Sequence, residues 1–129
     1  MLTKVRWSLV ALMMIMSGAF SIAKAADDMV ESFDAASAGN FKEAVSIWED
    51  LAAVGDPQAQ FNLGLMYHGG LGLPRDEYKA VKLYQQAAEG GYSAAQVYLV
   101  VGYEEGWFGL PQDSGKAYYW RGMLNDDLK

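Results

Sequence analysis

The chain has no cysteine, one histidine and three prolines in 129 residues, and each shortage closes a route. Without cysteine, neither a disulfide nor a thiolate metal site can hold the fold, so stability must come from packing. A lipid anchor on an N-terminal cysteine is excluded on the same ground. With His68 as the sole histidine, a multi-histidine metal site and a Ser-His-Asp triad both lack parts. No stretch alternates apolar and polar residues with the period of two that a half-buried strand needs. Basic residues are outnumbered, ten against sixteen acidic, for a net charge of −6.

The few basic residues are unevenly placed. Lys4 and Arg6 precede an uncharged run over residues 7–22, and Ala23-Lys24-Ala25 fits the small-x-small rule for cleavage before Ala26. Residues 1–25 therefore read as a secretory signal, and the expected location is the periplasm or beyond. The run is short of the ~20 residues that cross a bilayer as a helix, so no stable membrane anchor is expected after cleavage. Cutting there leaves residues 26–129, enough for one domain with a modest core. Because Lys4, Arg6 and Lys24 are lost with the signal, seven basic residues face sixteen acidic ones, a formal charge of −9. That balance opposes attraction to nucleic acid or anionic lipid and favours a basic partner.

What the sequence does contain is a repeat. Gly55-Asp56-Pro57-Gln58-Ala59-Gln60-Phe61-Asn62-Leu63 returns 36 residues later as Gly91-Tyr92-Ser93-Ala94-Ala95-Gln96-Val97-Tyr98-Leu99. Gly72-Leu73-Pro74-Arg75-Asp76 with Lys79-Ala80 recurs as Gly109-Leu110-Pro111-Gln112-Asp113 with Lys116-Ala117, now 37 apart. One residue has entered the later loop. Upstream, Ala44, Trp48, Leu51 and Ala52 stand 36 residues before Ala80, Tyr84, Ala87 and Ala88. Three units result, at about 27–54, 55–90 and 91–125, the first abbreviated.

Each unit reads as two helices. Ala59, Leu63, Met66 and Tyr67 share one face, and Ala80, Leu83, Tyr84, Ala87 and Ala88 share another. Between them Gly69-Gly70-Leu71-Gly72-Leu73-Pro74 stops the first helix, and Asp76 is placed to cap the second, as Asp113 is in the next unit. One such hairpin cannot bury its apolar stripe, whereas stacked hairpins share a core. Alanines and Gly64 allow close helix approach, with Phe41, Trp48, Phe61, Tyr67, Tyr84, Tyr98 and Tyr103 filling the layers between.

Ala59-Gln60-Phe61-Asn62-Leu63-Gly64-Leu65-Met66-Tyr67, Gly70-Leu71-Gly72-Leu73-Pro74-Arg75-Asp76 and Tyr84-Gln85-Gln86-Ala87-Ala88 resemble the Sel-one-like repeat closely. Gly39-Asn40-Phe41-Lys42-Glu43-Ala44 is more similar to the related tetratricopeptide repeat. The resemblance implies an all-α, right-handed α-solenoid of antiparallel helix pairs. Its members act chiefly as adaptors in signalling and in envelope complexes, with no shared chemistry. The third unit departs from the pattern: Val100 stands where glycine is expected, Gly102 follows, and the loop Glu105-Gly106-Trp107-Phe108-Gly109 is one residue longer.

Candidate chemistry is thin. Some relatives of this family resemble penicillin-binding or β-lactamase-like proteins, but the Ser-x-x-Lys pattern occurs only as Ser21-Ile22-Ala23-Lys24, upstream of the expected cut. Glu104 and Glu105 are sequence neighbours, about 100° apart on a helix, where paired-carboxylate catalysis needs convergence across a cleft. No catalytic residue, cofactor or metal is therefore assigned, and the chain reads as a non-enzyme.

Candidate binding residues are of three kinds. Gln58, Leu65 and His68, with Ala94, Val101 and Glu104 in the third unit, fit the inner wall that first helices form in a solenoid. Trp107 and Phe108, between glycines, could anchor a partner; burying both would remove roughly 300 Å² of apolar surface, a gross gain of ~7 kcal/mol against association costs of about 4 to 15 kcal/mol. Tyr119 and Trp120 lie with Tyr118 on the terminal helix, where an apolar end suggests self-association. Inward folding of that pair would instead make a plain monomer. The leading expectation is an exported protein-binding adaptor for another protein or peptide. An immunity-type inhibitor of a secreted toxic effector is the alternative, and a cell-wall-active hydrolase a remote one.

Overall fold

The computed structural model describes the backbone of residues 2–126 and the side chains of residues 18, 19 and 21–126. The side chains of Lys4, Arg6 and most of the apolar run, on which the export reading rests, lie outside the described residues, as does the chain after residue 126. Six helices follow in order: α1 (Leu2–Ser37), α2 (Phe41–Ala53), α3 (Pro57–Gly69), α4 (Glu77–Glu89), α5 (Ser93–Glu105) and α6 (Ser114–Asp126). No strand occurs among the described residues. Each helix packs on the next along the chain, making three antiparallel hairpins, α1–α2, α3–α4 and α5–α6, in the α-solenoid that the repeat implies.

The helix ends follow from local chemistry. The Asp56, Asp76 and Asp113 carboxylates accept from the backbone N–H groups of Ala59, Lys79 and Lys116 at 2.8, 3.0 and 3.0 Å, satisfying donors that the first turn leaves free. At the other end, α3 and α5 stop on Gly70 and Gly106 in the left-handed conformation. α1 alone is long, 36 residues against 13 for each of the others. No proline, and no glycine between Gly18 and Gly39, interrupts it, and it continues across Ala25 and Ala26. Its last turns supply the first helix of the first unit: Ser32 and Ala35 are buried, with Ala25, Met29 and Ala36 packed beside them. The Ser32 hydroxyl donates to the Met29 carbonyl at 2.6 Å. Among the described residues no helix is long and apolar enough to cross a membrane.

The core divides into two clusters that share α3. Ala59, Leu63 and Met66 face Trp48, Leu51 and Ala44 of α2, while Tyr84, Ala87 and Ala88 of α4 join Leu99, Val100 and Tyr103 of α5. Leu65 and Tyr67 border both clusters. A middle helix with two covered faces is what makes hairpins interdependent.

Three kinds of contact fix how closely the helices and loops approach. Gly64 lies under the Tyr84 ring, and a Cβ there would come within 2.6 Å of Tyr84 Cε1 and 3.3 Å of the Ala80 carbonyl. Tyr84 is fully buried, so the ring cannot yield. Gly72, with φ +76, approaches the Phe41 carbonyl group so closely that a Cβ would sit 2.6 Å from it. The second unit's loop thereby rests on the start of α2, as Gly109 rests near Glu77 at the start of α4. Finally, Gln60 and Gln96, matched in the repeat, donate their side-chain amides to the Ala52 and Ala88 carbonyls at 3.5 and 3.2 Å. Each reaches a carbonyl in the last turn of the preceding helix, where intrahelical donors run out.

Gly64→Ala is expected to destabilise the fold by about 1–3 kcal/mol through overpacking. Gly122→Ala, in α6 with nothing within 4 Å of the added Cβ, should be neutral or stabilising by up to ~1 kcal/mol. Denaturant titration followed by circular dichroism checks the pair; equal effects would remove the Tyr84 contact from the account.

Candidate functional site

The third unit absorbs its irregularities internally. Gly102 stands where the second unit has Met66, and a Cβ there would meet Leu110 Cδ1 at 2.7 Å and Phe108 Cδ2 at 3.3 Å. The missing side chain therefore makes room for the longer loop to fold back, and Leu110 enters the core. Val100 is tolerated in the place of Gly64 because the residue 37 positions after Tyr84 is Arg121. Its guanidinium turns outward to pair with the Glu104 carboxylate, and no ring presses on Val100 from that position.

Phe108 accordingly does not project as a free anchor. It adopts φ 59, the one non-glycine residue among those described with positive φ, and stacks on Tyr98 with centroids 4.1 Å apart. The His68 ring meets Phe108 edge-on at 5.5 Å, and its Nδ1 lies 3.5 Å from the Tyr84 hydroxyl. His68 thus closes an aromatic cluster of Phe61, Tyr84, Tyr92, Tyr98 and Phe108 and offers little surface. Burial pushes the Tyr84 phenol well above its ordinary value, with the neighbouring Tyr98 phenol adding to the shift. Tyr98 is raised as well, by its own burial, against a smaller opposing effect of its hydrogen bond with Tyr84.

Trp120 corrects the expectation placed on it: it is buried against Ala117 and α5, one residue ahead of the position that Tyr84 occupies in α4. Only Tyr118 and Tyr119 of that helix's aromatic run face solvent. Trp107 remains exposed. Leu65 is half-buried between the two clusters, and Val101 is half-buried on α5. Glu104 is held by Arg121, while its carbonyl accepts from the Gln112 amide at 2.8 Å. The candidate set is therefore scattered and does not converge on one site.

The surface that sequence reasoning passed over lies at the other end. Gln58 and Asp56, at the start of α3, line an open groove of about 590 Å³ with Ala26, Met29, Val30 and Phe33 of α1. Val30 is 62% exposed and Phe33 40%, although Phe33 also meets the Trp48 ring edge-on at 5.8 Å. The stripe was visible in the sequence as apolar residues at helical spacing, but it sits directly behind the segment that reads as a secretory signal. Among the described residues no group of three or more histidines or acidic residues is placed to hold a metal.

Fold and surfaces together define a helical-hairpin repeat protein, in which adjacent units share their core and the remaining faces are free for contact. More narrowly, the chain is a Sel1-repeat protein: the model of the Sel1 repeat matches residues 57–92 and 94–120. It is similar to the crystal structure of a Sel1 repeat protein from Oxalobacter formigenes, with TM-score 0.59 and 35% identity over 67% of this chain and 65% of that one. It is also similar to a protective antigen present in uropathogenic Escherichia coli strains displaying an SLR fold, with TM-score 0.70 and 27% identity over 84% of this chain and 24% of that one. Two curated relatives, both DAP3-binding cell death enhancer 1, match over shorter stretches. The Rattus norvegicus protein is 43% identical over 55 residues and the Mus musculus protein 49% identical over 45 residues. These cover 43% and 35% of this chain, which spans about a tenth of their length, 11% and 9%. The Sel1 repeat fold is that of a protein–protein interaction module.

Two outcomes check this placement of residues. Phe108→Ala should cost about 1–3 kcal/mol by removing the stack on Tyr98, whereas Trp107→Ala should fall within ~0.5 kcal/mol of wild type in the absence of a partner; the reverse order would make Trp107 the packed residue. The Tyr84 phenol, ordinarily at 10.0, is raised in the fold, so the stability tied to its neutral form is complete below about pH 10 and lost as pH climbs through the folded value. Chemical denaturation at pH 8 and pH 11 should show a larger alkaline loss for wild type than for Tyr84→Phe; identical losses would contradict it.

Proposed function

We propose that this Sel1-repeat chain is an exported, periplasmic protein-binding module, an adaptor that holds another envelope or secreted polypeptide and performs no catalysis. The observation that carries the reading is apolar surface exposed, among the described residues, on α1 and on α6. Val30 and part of Phe33 are exposed on α1, and Tyr118 and Tyr119 are 78% and 58% exposed on α6. Exposed clustered apolar side chains mark contact surfaces. The export part of the proposal is supported by Lys4 and Arg6, the uncharged run over residues 7–22 and the Ala23-Lys24-Ala25 pattern. The name of the two curated relatives, DAP3-binding cell death enhancer 1, records binding to another protein and agrees in kind.

A second role, inhibition of a basic secreted effector, is favoured by one specific feature. Between residues 26 and 56 stand eight carboxylates and a single basic side chain, Lys42, a density that would steer a cationic target at low salt. Deleting the gene and challenging the cells with effector-producing neighbours separates the two: sensitisation supports inhibitor, unchanged survival supports adaptor.

Cross-linking in intact cells followed by affinity capture tests the main reading. The expected result is a processed chain in the periplasmic fraction, covalently trapped with a defined envelope or secreted protein. A chain retained in the cytoplasm, or one that traps no protein while a small molecule copurifies, would overturn it.

A further inference from the structure

The groove between α1 and the start of α3 is two-toned in a way that specifies its occupant. On a helix each residue turns about 100° from the last. Met29, Phe33, Ala26 and Val30 therefore form a strip beside the buried face, and Asp27, Glu31 and Asp34 form a ridge beyond it. All three acidic residues are exposed, and among the described residues none of them forms an ion pair. On the opposite flank lies Asp56, whose Oδ1 is engaged with the Ala59 N–H, and beside it Gln58. An apolar floor thus runs between two carboxylate-bearing flanks. Lys24, the cation nearest the strip in sequence, pairs with Asp28, whose hydrogen bond and charge hold its ammonium above the ordinary value, with smaller contributions from the Glu31 and Asp50 charges. Cleavage before Ala26 would remove Ile22 and Lys24 and leave Ala26, Met29, Val30 and Phe33 in place.

We propose that this groove is the docking site for a cationic amphipathic segment of a partner protein, with apolar side chains on the Val30–Phe33 floor and lysine or arginine against Asp27, Glu31, Asp34 and Asp56. The proposal rests on the interaction-module reading above and gives it a place and a partner chemistry. From Ala26 to Phe33 the strip is about 10 Å long at 1.5 Å per residue, room for two apolar anchors one helical turn apart. The apolar contact supplies most of the affinity, since exposed ion pairs contribute little singly. The carboxylates supply selection by sign: an acidic segment meets repulsion along both flanks. Nucleic acid and anionic membrane surfaces are disfavoured by the same charges.

The test uses the full chain and a fluorescent 14-residue peptide of leucine and lysine at helical spacing, with a glutamate-for-lysine counterpart. Saturable micromolar binding is expected for the lysine peptide, at least tenfold weaker binding for the glutamate peptide, and weakening of the first by added salt. Val30→Asn should reduce affinity about fivefold, and the triple variant Asp27→Asn, Glu31→Gln, Asp34→Asn at least tenfold, with helix content by circular dichroism unchanged in both. Absence of saturable binding, equal binding of both peptides, or affinity unmoved by both variants would overturn the proposal. Cross-linking in cells separates this failure from that of the parent reading. If wild type and both variants trap the same protein, the groove assignment is wrong and the interaction module stands; if wild type traps none, the module reading itself falls.

Discussion

The seating of the Tyr84 ring on Gly64 is the contact to which most of the architecture answers. A fully buried ring on α4 presses on a position of α3 that has no Cβ to offer. α3 and α4 can therefore approach closely, and Phe61, Tyr98 and His68 can close around the ring from the neighbouring turns. Because α3 also presents Ala59, Leu63 and Met66 to α2, displacing it would open two clusters at once. In a stack of this kind stability belongs to shared boundaries more than to individual helices.

The third unit shows how such a constraint can be moved without being broken. Where Gly64 becomes Val100, the pressing ring is replaced by Arg121, which turns to Glu104. Where the loop gains a residue, Met66 gives way to Gly102, and Leu110 and Phe108 occupy the space. Each departure from the repeat has a partner departure a helix away. Packed interiors leave no slack for one side of a contact to change alone.

Much of this was legible in the residues. The 36-residue offset located the hairpins, and Asp76 and Asp113 announced their caps because the side chain at that position has only nearby backbone donors to find. Gln60 and Gln96 were visible as a matched pair, but their role as links to Ala52 and Ala88 depends on where a preceding helix ends in space. The candidate site was less legible. Trp120, shifted one residue from the Tyr84 register, falls inward, and Phe108 folds onto Tyr98; both outcomes depend on long-range packing that spacing does not encode. The α1 strip was overlooked for a different reason. Ala25, Met29, Ser32, Ala35 and Ala36 carry helical periodicity, yet they follow an apolar run with no break between, so the first helix of the first unit merges with the segment ahead of it.

The ends of the stack carry the functional reading, and the middle makes it possible. α1 offers an apolar strip beside a carboxylate ridge, while α6 turns Trp120 inward and keeps Tyr118 and Tyr119 outside. Such surfaces hold their shape only if the hairpins beneath them fold as one body. Circular dichroism of the isolated second hairpin, residues 55–90, beside the full chain tests that dependence most directly. The isolated segment should show little helix in water, since α3 loses α2 from its other face and α4 loses α5, leaving only the contact between α3 and α4. A stably helical, cooperatively melting hairpin on its own would contradict the account.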